Sequence, residues 1–489
     1  MSTLETSRIN AFSSASEMLT SLREGRLSAV DLLDIHIRRI ERYDTKINAV
    51  VTRDFANARK AAEEADKARR NGEEKPLLGL PITIKDCIYT KGLPTTGGLQ
   101  ERAGAIAERD CILVARLREA GAVIMGKTNV PPWAADWQAS NPLFGQTNNP
   151  WDPTLTPGGS TGGGAAALAA GLTPLEFGGD LAGSIRIPAA FCGVYGHRPS
   201  TTVMPRSCHF PGSMRPHPTV VLASVGPLAR SAEDLEFAMK VTAGPEADEE
   251  VGWKLELPPS RHDRLEEYRV AMMPPIPWLP VDGEILSGME RVAAQLHRVG
   301  AKVDQTQPEK LEDMRRYYSL FRTILTSITF IGVPSPVRSQ TAEGWKKSGN
   351  EFLTASAQGL EGSASDYVLW HEVREEYRES FQEFFREWDV MISPANFVNA
   401  FPHTNLPAPE RTLDVNGQRV SYYLQAVYPS LSSLSGHPAT AFPVGQTKSG
   451  LPVGLQAIGP HLEDYTTIRF ASLLGQELGG FLAPPGYEE

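Results

Sequence analysis

The serines at positions 160 and 184 have the clearest capacity for chemistry, because each lies in a run of small residues. Five glycines occupy the seven positions 158–164 around Ser160, and Ser184 ends the sequence Asp180-Leu-Ala-Gly-Ser184. Glycine lets a backbone adopt unusual dihedral angles and approach another group closely, and the alanine-rich run after position 164 favours a helix. We therefore predict two turns that each present a hydroxyl, the first of them leading into a buried helix.

The second turn also has the features of an oxyanion site. Successive backbone N–H groups beside a hydroxyl can stabilise the negative oxygen that forms when a carbonyl carbon is attacked. The predicted donors are the N–H groups of four consecutive residues, namely Leu181, Ala182, Gly183 and Ser184.

The elements that position these turns follow an alternating pattern. Residues 77–84 are rich in residues that favour strands, so Lys85 is predicted at a strand end, where catalytic groups of α/β proteins often lie. Residues 107–121 predict a helix and residues 122–127 a strand. Alternation of this kind indicates an α/β fold with a large, mixed, mostly parallel twisted sheet and helices on both faces.

The two turns and the lysine segment resemble the amidase signature family of serine hydrolases. The similarity rests on three segments: Gly158-Gly-Ser-Thr-Gly-Gly163, Asp180-Leu-Ala-Gly-Ser-Ile-Arg186 and Gly79-Leu-Pro-Ile-Thr-Ile-Lys-Asp86. The resemblance implies the amidase signature fold and a catalytic triad of Ser184 as nucleophile, Ser160 in a cis peptide as proton relay, and Lys85 as base. The spacings of 75 residues (160 − 85) and 24 residues (184 − 160) are typical of the family.

The chemistry of amide cleavage fits these residue types. Ser184 attacks, Ser160 passes protons to the leaving nitrogen, and Lys85 acts as a base only when neutral, which requires a pKa below about 10.4. Two residues depart from the family pattern: Thr161 adds a methyl group to the family's second serine, and Ala182 replaces a glycine in the oxyanion turn. The expected activity is hydrolysis of an apolar or aryl amide, with carbamates and cyclic or oligomeric amides included.

An aromatic loop precedes the first turn. Val130-Pro-Pro-Trp-Ala-Ala-Asp-Trp-Gln138 contains two prolines and two tryptophans, Trp133 and Trp137. These rings are predicted either to bind the substrate as an apolar wall or to pack in the core.

The chain is expected to form a single domain of 489 residues. Its predicted parts are N-terminal helices (1–75), the signature core (76–244), a helical cap-like insertion (308–390), and closing strands with a C-terminal helix (391–489).

Composition excludes several classes of partner and site. The net charge is −10 without a basic stripe, so no nucleic-acid partner is expected. Cysteines 87, 111, 192 and 208 lack metal-ligand spacing, so we predict no metal, no cofactor and a reduced, cytoplasmic compartment. The first eight residues do not resemble a signal peptide, and no apolar run suits a membrane span. The predicted partner is a small-molecule amide, and a homodimer stays open.

Several alternatives compete with this interpretation. Gly158–Gly162 also matches the nucleophile elbow of esterases, which would make Ser160 the nucleophile. A phosphate-binding loop lacks its Lys-Ser/Thr pair, and a non-catalytic subunit would not need all three triad residues. His197 invites a Ser-His-Asp scheme, but its segment is predicted to be a buried strand. The last alternative is a transamidation subunit working with partner proteins, although Arg186-Ile-Pro188 stands where such subunits commonly have Arg-Gln-Pro.

Overall fold

The computed structural model describes residues 9–205, 207 and 221–488. The predicted absence of a signal peptide (residues 1–8) and the fourth cysteine, Cys208, lie outside these residues. The first helices are α1 (Ala15–Arg23), α2 (Ala29–Ile47), α3 (Phe55–Arg70), α4 (Ile112–Glu119), α5 (Gly162–Ala169), α6 (Arg186–Cys192) and α7 (Ala232–Thr242). The later helices are α8 (Gly283–Val299), α9 (Met314–Thr329), α10 (Ser335–Lys347), α11 (Glu351–Glu361), α12 (Ala364–Glu387), α13 (Val427–Ser435) and α14 (Asp464–Leu478).

The strands are distributed along the whole described chain. The first eight are β1 (Val50–Arg53), β2 (Pro81–Lys85), β3 (Val123–Thr128), β4 (Ser140–Asn141), β5 (Gly145–Gln146), β6 (Leu175–Asp180), β7 (Tyr195–Arg198) and β8 (Ser224–Ala229). The others are β9 (Arg269–Met272), β10 (Lys302–Gln305), β11 (Val390–Pro394), β12 (Thr412–Val415), β13 (Gln418–Ser421), β14 (Ala439–Gln446) and β15 (Pro452–Ile458).

One large mixed sheet organises the described residues and confirms the α/β prediction. Its 11 strands follow the order β1-β3-β2-β6-β8-β7-β14-β15-β11-β9-β10. Strand β2 runs parallel to both β3 and β6, and β9 runs parallel to β10 and β11. The remaining neighbours pair antiparallel, including β6 with β8 and β14 with β15. The parallel trio β3-β2-β6 is the part of the sheet that carries the predicted lysine.

Strand β2 shows why that lysine is buried. All five of its residues are buried, although side chains alternate between the two faces of a strand. Ile82 and Ile84 therefore share one face, while Thr83 and Lys85 share the other. Polar side chains on a fully covered face need polar partners, because an unpaired buried polar group is costly.

The predicted helix over residues 107–121 is too long at its N-terminal end. The structure begins α4 at Ile112, because the preceding residues pair with another segment instead of coiling. Ala107 N donates to Leu93 O at 3.0 Å, and Cys111 N donates to Tyr89 O at 3.1 Å. Tertiary pairing thus overrides the local helical pattern.

The region between β10 and β11 is helical, as the sequence indicates. It contains α9 to α12, and the hydroxyl of Tyr317 on α9 donates to Ser430 O and Leu431 O of α13 at 3.1 and 2.9 Å. Its role as a cap stays a prediction. Among the described helices, none is long and apolar enough to cross a membrane.

Candidate active site

Three segments bring the predicted triad residues to one edge of the sheet. Lys85 is the last residue of β2, Ser160 lies in the loop before α5, and Ser184 lies in the turn between β6 and α6. The Thr161 N–H donates to the carbonyl of Ser184 at 3.1 Å, so the two serine-bearing turns are in direct contact. All three predicted residues are buried, with Ser184 the most accessible at 8% exposure.

Lys85 contacts both hydroxyls of the first turn. Its Nζ lies 2.8 Å from Ser160 Oγ and 2.9 Å from Thr161 Oγ1, with Gly179 O at 3.4 Å. Burial lowers the pKa of Lys85 below its ordinary value of 10.5, although Cys87, Asp180 and Glu176 favour the charged form. A lysine in this setting can lose its proton at a lower pH than a solvated one.

The first turn has the backbone geometry that the resemblance implies, and it accommodates the departure at position 161. The Gly159–Ser160 peptide bond is cis. A Cβ atom at Gly178 would lie 2.5 Å from the methyl carbon of Thr161, so the glycine leaves the room that the extra methyl needs. Threonine therefore keeps its hydroxyl on Lys85 while its methyl lies against β6.

The second turn is closed by a buried ion pair. Arg186 donates from Nη2 to Asp180 Oδ1 and from Nε to Asp180 Oδ2, both at 2.9 Å. Burial alone would raise the pKa of Asp180, but Arg186 and the backbone N–H of Gly183 hold that pKa well below its usual range. Arg186 also donates to Pro429 O, Ser432 Oγ and Gln456 Oε1, which ties the turn to α13 and β15.

This closure narrows the set of oxyanion donors. The N–H of Gly183 donates to Asp180 Oδ1 at 2.9 Å, so that group is already engaged in the structure. Its prediction as a free donor fails because a hydrogen bond inside the turn depends on the turn's final conformation and not on residue types. The N–H groups of Leu181, Ala182 and Ser184 stay predicted donors.

The aromatic loop reaches the second turn through one tryptophan. The indole N–H of Trp137 donates to the carbonyl of Ala182 at 2.9 Å, and the ring meets Tyr422 edge-on with centroids 5.5 Å apart. Trp133 is instead 57% exposed. Asp136, between them, accepts from the Tyr422 hydroxyl and from Arg411 Nη1, both at 2.6 Å.

His197 belongs to a separate buried cluster, as its predicted strand position indicates. Its Nε2 lies 3.0 Å from Asp464 Oδ1 and its Nδ1 lies 2.9 Å from Thr440 Oγ1. The nearby Ser200 hydroxyl donates to Asp464 Oδ2 at 2.7 Å and not to the imidazole. Ser160, the nucleophile of the esterase alternative, has lysine as its partner.

A cavity of about 470 Å³ lies in the helical region. Its walls include Arg322 of α9, the N-terminal residues of α11 and Tyr423. None of the three predicted catalytic residues lines it. We locate the candidate site by the chemistry of its groups and not by the size of this cavity. In the described part of the chain, no group of three or more His, Cys, Asp and Glu residues could hold a metal ion.

Two side chains make contacts in the site that the sequence does not predict. Thr161 is recognisable as a departure from the family pattern, but its contact with Lys85 is not. Glu176 was missed, although an acidic residue between Leu175 and Phe177 in an apolar strand is a recognisable signal. Its carboxylate is fully buried beneath the lysine segment.

Comparisons with known proteins agree along nearly the whole chain. The sequence model of the family described as Amidase matches residues 31–468. A subunit of glutamyl-tRNA(Gln) amidotransferase from Psychrobacter sp. (strain PRwf-1) is 31% identical to this chain, over 95% of each of the two chains.

Two solved structures have a similar fold. One, described as a vestigial protein complex that reveals the evolutionary origins of an s-triazine catabolic enzyme, has a TM-score of 0.80, 26% identity and coverage of 96% of this chain and 100% of that one. The structure of 6-aminohexanoate cyclic dimer hydrolase has a TM-score of 0.79 at 23% identity, with coverage of 98% and 100%. The family match and the relative that is similar from end to end establish that this chain belongs to the amidase family, whose members carry the amidase signature.

Proposed function

We propose that this chain cleaves a carbon–nitrogen amide bond through an acyl-enzyme on Ser184. The observation that carries the proposal is the 2.8 Å contact between Lys85 Nζ and Ser160 Oγ in a buried site where the pKa of Lys85 is lowered. A lysine that loses its proton readily can accept one from a serine hydroxyl. Ser160 then links this base to the neighbouring turn that carries Ser184.

The first half of the reaction forms the acyl-enzyme precursor. Ser184 Oγ bonds to the carbonyl carbon of the amide, its proton moves to Ser160, and the proton of Ser160 moves to neutral Lys85. The electron pair of the carbonyl π bond moves onto the oxygen. The N–H groups of Leu181, Ala182 and Ser184 would stabilise that charge, each contributing roughly 3 kcal/mol.

The second half breaks the carbon–nitrogen bond. Ser160 donates its proton to the departing nitrogen and regains one from Lys85, so the amine leaves neutral and Lys85 returns to its starting form. An ester on Ser184 remains. In hydrolysis, water attacks the ester carbon, the same relay takes its proton and returns one to Ser184, and a carboxylic acid is released.

The aromatic loop supports an apolar or aryl group on the substrate. Trp137 is held against the oxyanion turn by its hydrogen bond to Ala182 O, and Trp133 presents an exposed ring in the same loop. Aromatic surfaces gain about 25 cal/mol per Å² of apolar area that they bury. We extend the proposal to carbamates and to cyclic or oligomeric amides with such groups.

A second candidate is the amide-cleaving component of an amidotransferase. It is favoured by the 31% identity with the glutamyl-tRNA(Gln) amidotransferase relative over nearly the full length of both chains. The released nitrogen would then pass to an acceptor held with partner proteins, and a tRNA would become a partner despite the acidic charge. The sequence Arg186-Ile-Pro188 is the feature that favours a free-standing enzyme. The catalytic geometry serves both candidates, and the similarity of the chain favours the amidotransferase.

One experiment separates the two candidates. The purified chain alone is assayed on acyl-anilides, short aliphatic amides, cyclic amides and glutamine, with Ser184→Ala as the matched control. Turnover of an anilide or cyclic amide by the chain alone supports the free-standing amidase. Turnover confined to glutamine and dependent on added amidotransferase partners would instead support the second candidate.

A further inference from the structure

We propose that Glu176 is a positioning residue that controls the charge of Lys85 from beneath the active site. This inference rests on the proposed function, because it concerns the base of the same reaction. The proposed function leaves Glu176 without a role, although the side chain is fully buried and lies on the strand next to the one that carries the lysine.

The hydrogen bonds of Glu176 fix where its carboxylate lies. Glu176 on β6 accepts from the Thr83 hydroxyl on β2 and, through Oε1, from Thr128 Oγ1 on β3 at 2.7 Å. Because β2 stands between β6 and β3 in the sheet, the side chain crosses over β2 to reach Thr128. Thr83 is two residues before Lys85, and Thr128 is the register partner of Lys85. The carboxylate therefore lies on the face of β2 from which Lys85 projects.

Helix α5 covers this carboxylate and leaves space for it. A Cβ atom at Gly164 would lie 2.5 Å from Glu176 Cγ and 2.9 Å from its Oε1. A side chain at position 164 would therefore collide with the glutamate. This contact gives the last glycine of the 158–164 run a role that the turn alone does not explain.

The surrounding charges make the carboxylate and the lysine interact. Burial raises the pKa of Glu176 to about 7, while the Thr83 and Thr128 hydroxyls and the charges of Lys85 and Lys127 act in the opposite direction. The other charged groups at this end of the sheet are Asp180 on β6, which pairs with Arg186, and Asp86, whose Oδ1 lies 3.7 Å from Lys127 Nζ. Cys87 also interacts with Lys85, and α5 carries no charged residue.

The sign of the effect follows from the charge. An ionised Glu176 stabilises the ammonium form of Lys85 and so delays formation of the neutral base as pH rises. A neutral Glu176 removes that stabilisation. The glutamate thus acts as a brake on the base near neutral pH, where its own ionisation takes place.

The test measures the rate at which a fluorophosphonate labels Ser184, from about pH 5 to 10. This readout needs no knowledge of the substrate. In Glu176→Gln the midpoint of the rise in rate with pH should move down by about one pH unit, so that below the midpoint the variant labels about tenfold faster than the wild type. Thr83→Val should move the midpoint in the same direction by less, because loss of one hydroxyl donor favours the protonated carboxyl.

Controls and contrary outcomes are distinct. Glu233→Gln, which removes a carboxylate bonded to the Ser472 hydroxyl on the distant helix α7, should leave the midpoint unchanged. An unchanged midpoint in both Glu176→Gln and Thr83→Val, with or without a slower rate, would overturn the inference and leave Glu176 a structural residue. If Glu176→Gln does not fold, the Thr83→Val midpoint decides the question. Absence of labelling at Ser184 in the wild type would instead overturn the proposed function.

Discussion

Two buried clusters in this protein contain a serine with a titratable partner, and they differ in how their groups are connected. The lysine cluster consists of Lys85, Ser160 and Thr161, and the histidine cluster consists of His197, Ser200, Thr440 and Asp464. In the lysine cluster the serine hydroxyl contacts the basic nitrogen directly, 2.8 Å away. In the histidine cluster the carboxylate lies in the middle, because both Ser200 and His197 bond to Asp464.

The order of connection decides what each cluster can do. A base activates a serine only when the two are within hydrogen-bonding reach, and a carboxylate helps when it lies beyond the base. Ser200 also accepts from the backbone N–H of Leu462 at 2.9 Å, which holds its hydroxyl as a structural link between the segment after β7 and the start of α14. The residue types of a serine–histidine–aspartate triad are therefore present without its connectivity.

Removal of Lys85 is expected to have the largest effect on this comparison. Lys85→Ala should lower kcat/KM for an amide by about 10³- to 10⁴-fold, because Ser160 loses the group that accepts and returns its proton. A matched ester should lose much less activity, since its leaving alkoxide needs little protonation. Steady-state kinetics on the pair of substrates check this, and equal losses on both would argue against a relay to the leaving nitrogen.

The pH dependence should distinguish the lysine from a histidine. Because burial lowers the pKa of Lys85, the neutral form appears below pH 10.5, and kcat/KM should rise through that ionisation and stay high in alkaline solution. Below the midpoint the rate should change about tenfold per pH unit. A rise that disappears in His197→Gln would transfer the role of base to the histidine cluster.

The hydrogen bond from Trp137 to the oxyanion turn should have a smaller effect. Trp137→Phe keeps an aromatic ring beside Tyr422 but removes the N–H that binds Ala182 O. A neutral hydrogen bond contributes about 1 kcal/mol, so we expect kcat to fall about fivefold with little change in KM. Trp133→Phe, in an exposed position of the same loop, is the control. A change in KM alone would show that Trp137 acts only by contact with substrate.

Disruption of the histidine cluster should have the smallest effect on catalysis. His197→Gln should keep kcat/KM within about twofold of the wild type while lowering the free energy of unfolding by about 1–3 kcal/mol, because Asp464 and Thr440 lose a buried partner. Urea denaturation and kinetics on the same preparation measure both quantities. Loss of activity without loss of stability would contradict a structural role.

The sequence predicted the parts of the site that depend on local backbone. The glycines around Ser160, the turn that begins at Asp180 and the strand that ends at Lys85 can each be read from a few neighbouring residues, and each is present where predicted. The alternation of strands and helices similarly predicted the mixed sheet. The limit of helix α4 was wrong because residues 107–111 pair with a remote segment.

The contacts that join distant segments could not be predicted in this way. Asp136 meets Arg411 and Tyr422, which are 275 and 286 residues further along the chain. Glu176 meets Thr83 across 93 residues. Such pairs depend on strand order and on which loops converge at one edge of the sheet, and a single sequence carries no local signal for either. The engaged N–H of Gly183 likewise depends on the final conformation of its turn.

The identity of the nucleophile is the central claim, and the site of fluorophosphonate attachment tests it most directly. The labelled protein is digested and the modified serine is located by mass spectrometry, with Ser184→Ala and Ser160→Ala as paired variants. The account predicts a single adduct on Ser184, no labelling of Ser184→Ala, and slow labelling of Ser184 in Ser160→Ala. An adduct on Ser160 that persists in Ser184→Ala would contradict the assignment and support the esterase-like alternative.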